Sequence, residues 1–243
     1  MEIINRKMRS ELLLSAKESP IVALLGPRQS GKTTLAKACF PDHEYVSLED
    51  LDKREFATSD PVGFLERYQK GAILDEVQRV PELFSFLQTE VDRNDSVGRF
   101  ILTGSHQFHL VEQITQSLAG RISLLKLLPF SMEELIENKI EVGSLYSHLL
   151  KGQYPRVWHK NIRPEKWLSN YFETYIQKDV RQIKNIGDIN KFVNFVKMLA
   201  ARSGQLLNLS SLGNDCGISH NTASSWLSVL EGSSSQKFQE KTC

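Results

Sequence analysis

The chain has 243 residues, of which 40% are hydrophobic and 24% charged, and its 30 Lys and Arg residues nearly balance its 29 Asp and Glu residues. This length and composition favour one or two folded domains and exclude a wholly disordered or fibrous chain. The formal charge of +1 argues against a protein that coats nucleic acid or an anionic membrane with its whole surface, and it leaves a local basic face open.

Residues 1 to about 140 alternate between predicted strands and predicted helices. Short apolar runs, typical of strands buried on both faces of a parallel sheet, occupy residues 21–25, 45–48, 72–74, 100–102 and 122–128. Helix starts are marked by Asp60-Pro61, with proline at a first helical position, and by the capping-box pattern Ser131-x-x-Glu134. The alternation predicts an α/β fold in which helices flank a parallel sheet.

The second part of the chain is predicted to be helical. Apolar residues at helical spacing predict two helices within residues 165–200. Residues 206–230 predict two shorter helices around a turn at Gly217, with Ser219 as the N-cap of the second, which is the arrangement of a helix-turn-helix. Residues 232–243 are small and polar and predict an unstructured tail.

A glycine-rich motif directly follows the first apolar run. It is a complete G-x-x-x-x-G-K-[ST], and with the next residue its predicted phosphate-binding set is Gly26, Pro27, Arg28, Gln29, Ser30, Gly31, Lys32, Thr33 and Thr34. The strand before it and the helix-forming stretch after it are the context that a P-loop requires. Glycines let backbone N–H groups converge on an anion, Lys32 supplies a charge at the β and γ phosphates, and Thr33 is expected to bind Mg²⁺. The motif predicts binding of ATP with Mg²⁺.

Two carboxylates end the third apolar run, in Ala72-Ile73-Leu74-Asp75-Glu76. On a strand beside a P-loop, Asp75 is expected to hold Mg²⁺, partly through water, and Glu76 to orient or deprotonate the attacking water. The alternative is an ordinary strand end with solvated acids. The P-loop upstream makes us prefer the catalytic interpretation.

Two further polar segments lie beside predicted strands. The fourth run leads into Thr103-Gly104-Ser105, so Ser105 or Thr103 is a candidate to position water at the γ phosphate, with simple turn chemistry as the alternative. Arg121 precedes the fifth run and is either an arginine finger, which stabilises transition-state charge, or an ordinary surface arginine.

Together these motifs resemble a prokaryotic family of AAA-type P-loop ATPases, in which an ATPase core is followed by a winged-helix segment and a further C-terminal domain. The resemblance covers about residues 1–231. The residues that carry it are 22–35, 47–50, 60–61, 74–78, 102–105, 118–121, 128–131 and 152–155. It implies an ATPase core at 1–140, a helical lid or linker at 141–202 and a partial helix-turn-helix at 203–231, before the tail at 232–243. We therefore expect a truncated chain.

The resemblance also implies roles and an arrangement. The strand that carries Ser105 should lie between the P-loop strand and the strand of Asp75. Glu76 is then the catalytic acid or base, Ser105 a sensor, and Arg121 an arginine that contacts phosphate in the same or a neighbouring subunit.

Charge is distributed unevenly along the chain. Residues 160–202 contain nine cations and four acids, whereas residues 42–60 contain seven acids and two cations. The predicted helix-turn-helix has no Lys or Arg, and Asp215 is its single formal charge between residues 203 and 230. Because cations supply most nonspecific affinity for DNA, this module is predicted to bind nucleic acid poorly. Residues 160–202 are therefore the better candidate for a nucleic-acid contact. We prefer to interpret both charged segments as solvated helix faces, and a charge-paired contact within or between subunits stays open.

The predicted function is Mg²⁺-dependent ATP hydrolysis. An ATP-dependent switch or assembly module with little turnover, in a homo-oligomer, and a DNA-associated regulator stay open as alternatives. Cys39, Cys216 and Cys243 are too widely spaced for a disulfide framework or a Cys-x-x-Cys metal site, and no apolar run approaches the roughly 20 residues of a membrane span. We therefore expect a soluble, cytoplasmic protein.

Overall fold

The computed structural model describes residues 4–94, 96–105, 114, 116–160, 162–175 and 186–233. By its internal contacts the chain divides after Asn161 into two compact units. This division does not decide the predicted domain boundaries, which stay predictions. Within the described residues, no helix has the length and apolar character needed to cross a membrane.

A five-stranded parallel sheet forms the centre of the first unit. Its strands are β1 (Ile21–Gly26), β2 (Glu44–Ser47), β3 (Ala72–Asp75), β4 (Phe100–Ser105) and β5 (Ile122–Lys126), in the spatial order β2-β3-β4-β1-β5. The predicted α/β fold is therefore confirmed, and so is the place of β4 between the P-loop strand and the strand of Asp75. The register aligns Gly26 with Ser105 and Thr103 with Asp75, which brings the predicted site residues to one edge of the sheet.

Helices cover both faces of this sheet. The covering helices are α1 (Met8–Glu18), α2 (Lys32–Cys39), α3 (Leu51–Ser59), α4 (Pro61–Glu66) and α5 (Leu83–Arg93). Three further helices follow the sheet in the chain: α6 (Met132–Glu137), α7 (Leu145–Lys151) and α8 (Pro155–His159). All six residues of β1 are buried, because successive side chains of a strand point to opposite faces and here both faces are packed. Ile21 and Ala23 belong to the core on the side of α3–α5, whereas Val22 and Leu24 pack with residues of α1 and α2.

The helix starts predicted from sequence are present. Asp60 caps α4 by accepting a hydrogen bond from the Gly63 backbone N–H at 2.9 Å, with Pro61 at the first helical position. Ser131 and Glu134 form the capping box of α6, in which the backbone N–H of each residue donates to the side chain of the other, at 2.9 and 3.1 Å. These caps satisfy backbone groups that a helix terminus otherwise leaves unpaired.

The second unit contains α9 (Pro164–Tyr175), α10 (Ile189–Ala201), α11 (Leu209–Cys216) and α12 (His220–Ser233). Its core is aromatic: the rings of Phe192 and Phe195 meet Trp226 edge to face, with centroids 5.3 and 5.6 Å apart.

The predicted turn between α11 and α12 is confirmed. Gly217 has a φ of 63°, and Ser219 Oγ accepts a hydrogen bond from the Thr222 N–H at 3.1 Å. The first of the two helices predicted within residues 165–200 is described from Pro164 to Tyr175. Gly232 and Ser233 are the last residues of α12, and residues 234–243 of the predicted tail lie outside the described residues.

Candidate functional site

The glycine-rich motif forms the turn from β1 into α2, and two of its glycines are required by geometry. A Cβ on Gly26 would lie 2.2 Å from the backbone oxygen of Leu127. Gly31, at the N-cap of α2, has a φ of 96°, which favours glycine. Gln29 also has a positive φ, of 60°, which is uncommon for a residue with a side chain. The close approach at Gly26 and the positive φ angles of Gly31 and Gln29 define the backbone path of the loop. The loop leads into the N-terminus of α2, where free backbone N–H groups can bind an anion.

The Lys32 ammonium group lies inside this loop. Only 5% of the residue is exposed, and Nζ donates hydrogen bonds to the backbone oxygens of Gly26 at 3.0 Å and Pro27 at 2.8 Å. Burial lowers the pKa of Lys32 to about 8, against the opposing effect of the Glu76 and Asp75 carboxylates. The lysine is therefore already held at the turn where a phosphate would bind.

Asp75, at the end of β3, accepts hydrogen bonds from three hydroxyl groups. Thr33 Oγ1 donates at 3.1 Å to both carboxylate oxygens, which joins the end of β3 to the first turn of α2. The Tyr45 hydroxyl, on β2, donates to Oδ2 at 2.8 Å, and Thr103 Oγ1, on β4, donates to Oδ1. Burial, together with the bond to Asp75, raises the pKa of Tyr45, so the phenol keeps its proton and remains a donor.

Glu76 follows Asp75 with a left-handed backbone, at φ 56° and ψ 45°. This conformation is costly for a non-glycine residue, and strain of this kind clusters at functional sites. The Gln78 side-chain amide donates a hydrogen bond to Glu76 Oε2. Burial raises the pKa of Glu76, whereas the charge of Lys32 and the bond from Gln78 lower it. Glu76 is thus a desolvated carboxyl group held close to a cation, as a general base requires.

A cavity of about 550 Å³ opens beside the loop. Residues of the loop, α2 and the end of β3 line it: Gln29, Gly31, Lys32, Thr33, Thr34, Leu35 and Glu76. The rest of the lining combines apolar residues with cations and consists of Ile4, Arg6, Phe130, Pro155, Arg156, His159 and Lys160. The rings of Phe130 and His159 meet edge to face, with centroids 6.1 Å apart. A cavity lined by backbone and cationic groups together with aromatic rings suits a ligand that has phosphates and a flat base.

Arg6, which lines the cavity, connects the N-terminal segment to the loop. Its guanidinium is buried, forms an ion pair with Glu134 at 3.0 Å, and donates to the backbone oxygens of Ser30 at 2.9 Å and Leu128 at 2.5 Å. It also lies 4.8 Å from the centre of the Phe130 ring. One side chain therefore fixes the P-loop, the segment after β5 and the start of α6 together.

Comparison with known proteins agrees with this geometry. Residues 18–136 match a protein family described as an AAA domain. The Walker-type ATPase of Pyrococcus abyssi has a similar structure, with a TM-score of 0.60 over 95% of this chain and 90% of that chain, at 16% sequence identity. The chain therefore shares the fold of that Walker-type ATPase.

Two curated relatives of the chain are described as uncharacterised proteins. A Mycobacterium tuberculosis protein is 29% identical over 237 residues, which cover 95% of this chain and 52% of the relative. A Haemophilus influenzae protein is 27% identical over 261 residues, with 94% and 64% covered. The chain thus spans about half to two thirds of the length of these relatives. Residues 142–238 match a domain of unknown function, DUF8612, so the expected winged helix and truncation are not confirmed.

The first unit brings most of the predicted site residues together. Lys32, Thr33 and Glu76 line one cavity, and Asp75 bonds directly to Thr33. Ser105 pairs with Gly26 across neighbouring strands, while its side chain lies outside the described residues.

Arg121 lies at the opposite edge of the sheet. Its backbone oxygen accepts a hydrogen bond from Ile21 N–H, at the start of β1, so the P-loop begins about 16 Å away at 3.3 Å per residue. Its guanidinium pairs with Asp92 at 2.5 and 2.9 Å. In this position the side chain is too short to bridge the distance to the P-loop of its own chain, and the contact of Arg121 with phosphate stays a prediction.

Sequence reasoning missed Tyr45, Gln78 and Arg6. The sequence predicts only that Tyr45 lies in a strand. One signal for its contact with Asp75 is that it lies two residues before Ser47, on the same face of the strand, and Ser47 pairs with Asp75. Gln78 lies two residues after Glu76 inside a recognised motif, but nothing in the motif shows that its side chain turns back.

Proposed function

We propose that the chain binds Mg-ATP and hydrolyses its γ phosphate. The observation that carries this proposal is the direct contact of Thr33 with Asp75 at 3.1 Å, beside a cavity that Lys32 and Glu76 also line. In P-loop NTPases, this hydroxyl and this carboxylate are the groups that hold the metal. An ordinary strand end with solvated acids would not place a buried aspartate against the helix that follows a P-loop.

The donor set fits Mg²⁺. Thr33 supplies a hydroxyl oxygen and Asp75 a carboxylate, and both are hard oxygen ligands of the kind that magnesium prefers, with water completing its shell. When bound, the metal would neutralise negative charge on the β and γ phosphates. Lys32 and the backbone N–H groups at the start of α2 would bind the same phosphates. The rings of Phe130 and His159, which also line the cavity, would contact the base.

Glu76 would act on the attacking water. A new bond forms between the water oxygen and the γ phosphorus as the bond to the β–γ bridging oxygen breaks, and the Glu76 carboxylate accepts the proton that the water loses. Its raised pKa strengthens it as a base, and Lys32 keeps it ionised. The hydrogen bond from Gln78 would hold the carboxylate in place. Ser105 remains our candidate sensor, because its backbone lies beside Gly26.

Steady-state phosphate release tests this function. We expect Glu76→Gln to abolish turnover while retaining nucleotide binding, and Lys32→Ala to weaken binding itself. Glu66→Gln is a matched control, because Glu66 is an exposed residue at the end of α4. Equal phosphate release by the wild type and Glu76→Gln, at a rate above that of contaminants, would show that Glu76 is not the base.

We also propose that Arg121 acts on a neighbouring subunit. Its distance from the P-loop of its own chain and its exposed bond with Asp92 support an arginine supplied in trans. An isolated subunit would then act as an ATP-dependent switch with little turnover. Size-exclusion chromatography with and without ATP, followed by measurement of phosphate release from each peak, shows whether turnover requires an assembled neighbour. Full turnover by a monomer would contradict the trans arrangement.

A further inference from the structure

Asp75 is held from both neighbouring strands as well as from α2. Thr103 on β4 is the direct register partner of Asp75, and its hydroxyl donates to Oδ1. On the other side, Ser47 is the register partner in β2, and Tyr45 lies two residues earlier on the same face. Its hydroxyl reaches Oδ2 at 2.8 Å. The two carboxylate oxygens therefore each have a hydroxyl donor that comes from a different strand.

Core packing does not explain this tyrosine. Tyr45 is 37% exposed and lies on an edge strand of the sheet, where a β-branched residue would serve equally well. Its ring is fixed instead by Lys37, whose Nζ lies 3.2 Å from the ring centre. Lys37 belongs to α2, one turn after Thr33. The phenol is therefore held by the same helix that carries the proposed metal-binding hydroxyl, and its one polar atom is directed at Asp75.

We propose that Tyr45 is a positioning residue for the magnesium site, acting through Asp75. An ionised carboxylate accepts about four hydrogen bonds. Donors from Tyr45 and Thr103 occupy one position on each oxygen and restrict rotation of the group, and the remaining positions serve Thr33 and water bound to the metal. Outer partners of this kind tune metal affinity, and their loss lowers it about 10- to 100-fold. This inference rests on the proposed function, because it concerns the same site.

The test compares nucleotide binding with and without the metal. Tyr45→Phe keeps the ring, and with it the contact to Lys37, and removes one hydroxyl group. Tyr68→Phe is the matched control: Tyr68 is 2% exposed, and within the described residues its hydroxyl has no hydrogen-bond partner. The affinity of each variant for a fluorescent ADP analogue is measured in EDTA and in Mg²⁺. Binding of Mn²⁺ in the presence of ADP is measured separately by electron paramagnetic resonance.

For Tyr45→Phe we expect an unchanged affinity for the ADP analogue in EDTA. We expect the affinity for Mn²⁺ to fall about 10-fold, and the increase in affinity for the ADP analogue that Mg²⁺ confers to fall by about the same factor. Tyr68→Phe should match the wild type in all three measurements. If Tyr45→Phe also matches the wild type, the positioning role is overturned while the proposed function stands. An equal loss in EDTA and in Mg²⁺ would overturn it as well, because the tyrosine would then support the loop and not the metal. A wild type that binds no nucleotide would refute the proposed function itself.

Discussion

Replacing Arg6 with methionine tests how strongly the N-terminal segment supports the phosphate-binding loop. Arg6 is 6% exposed and donates hydrogen bonds to Glu134, Ser30 and Leu128. Methionine keeps much of the aliphatic volume but leaves Glu134, 4% exposed, without its cation. Removing one partner of a buried ion pair costs about 3–5 kcal/mol. For a unit of this size, that loss lowers Tm by about 6–20 °C.

Urea unfolding followed by circular dichroism would measure the loss. Lys7→Ala is the matched control, because Lys7 forms exposed ion pairs with Glu133 and Glu137, so we expect little change. Adding Glu134→Gln to Arg6→Met should recover part of the stability, since the amide removes the unpaired charge and keeps an oxygen for the capping box. If Arg6→Met and Lys7→Ala are equally stable, the reasoning about the buried pair is refuted.

Three further predictions concern the loop and the Glu76 carboxyl group. Burial lowers the pKa of Lys32 from 10.5 to about 8. Between about pH 8 and pH 10.5 the unfolded chain therefore binds more protons than the folded chain, so the free energy of unfolding should rise with pH across this range. Urea titrations at about pH 7.5 and about pH 9.5 should show this rise in the wild type, and a similar rise in Lys32→Met would count against it. Gly26→Ala places a Cβ 2.2 Å from the Leu127 oxygen and should cost at least about 1–3 kcal/mol, which an unchanged calorimetric Tm would contradict. Gln78→Met removes the donor to Glu76 and should lower kcat about 10- to 100-fold with little change in KM; steady-state kinetics in which only KM changes would exclude this role.

The strands of the sheet could be predicted from sequence because a parallel sheet buries short apolar runs. The runs at 72–74 and 100–102 lie within β3 and β4, and both strands are central. The run at 122–128 extends beyond β5, which ends at Lys126. Because β5 is an edge strand, Leu124 is 45% exposed, and Leu128 beyond it is 43% exposed. Burial on both faces was therefore the wrong expectation for this edge of the sheet.

The contacts that complete the candidate site could not be predicted in the same way. The P-loop and the pair Asp75-Glu76 are local patterns, and their chemistry follows from residue type and spacing. The bond from Arg6 to Glu134 joins residues 128 positions apart, and the bond from Tyr45 to Asp75 depends on the pairing of two strands. Such contacts are set by topology and register, which hydrophobic periodicity does not specify.

The central position of β1 has a consequence for how the protein is made. Ile21 pairs with Phe100 and Ile122, which follow it by 79 and 101 residues. At a synthesis rate of about 5–20 residues per second, the ribosome needs about 5–20 s to deliver both partners. Until both strands have been made, an apolar segment destined for full burial lacks at least one of its two neighbours in the sheet. The segment that leads into the phosphate-binding loop is thus made before either neighbour and is sheltered on both edges only after β5, an exposure of the kind that chaperones shield.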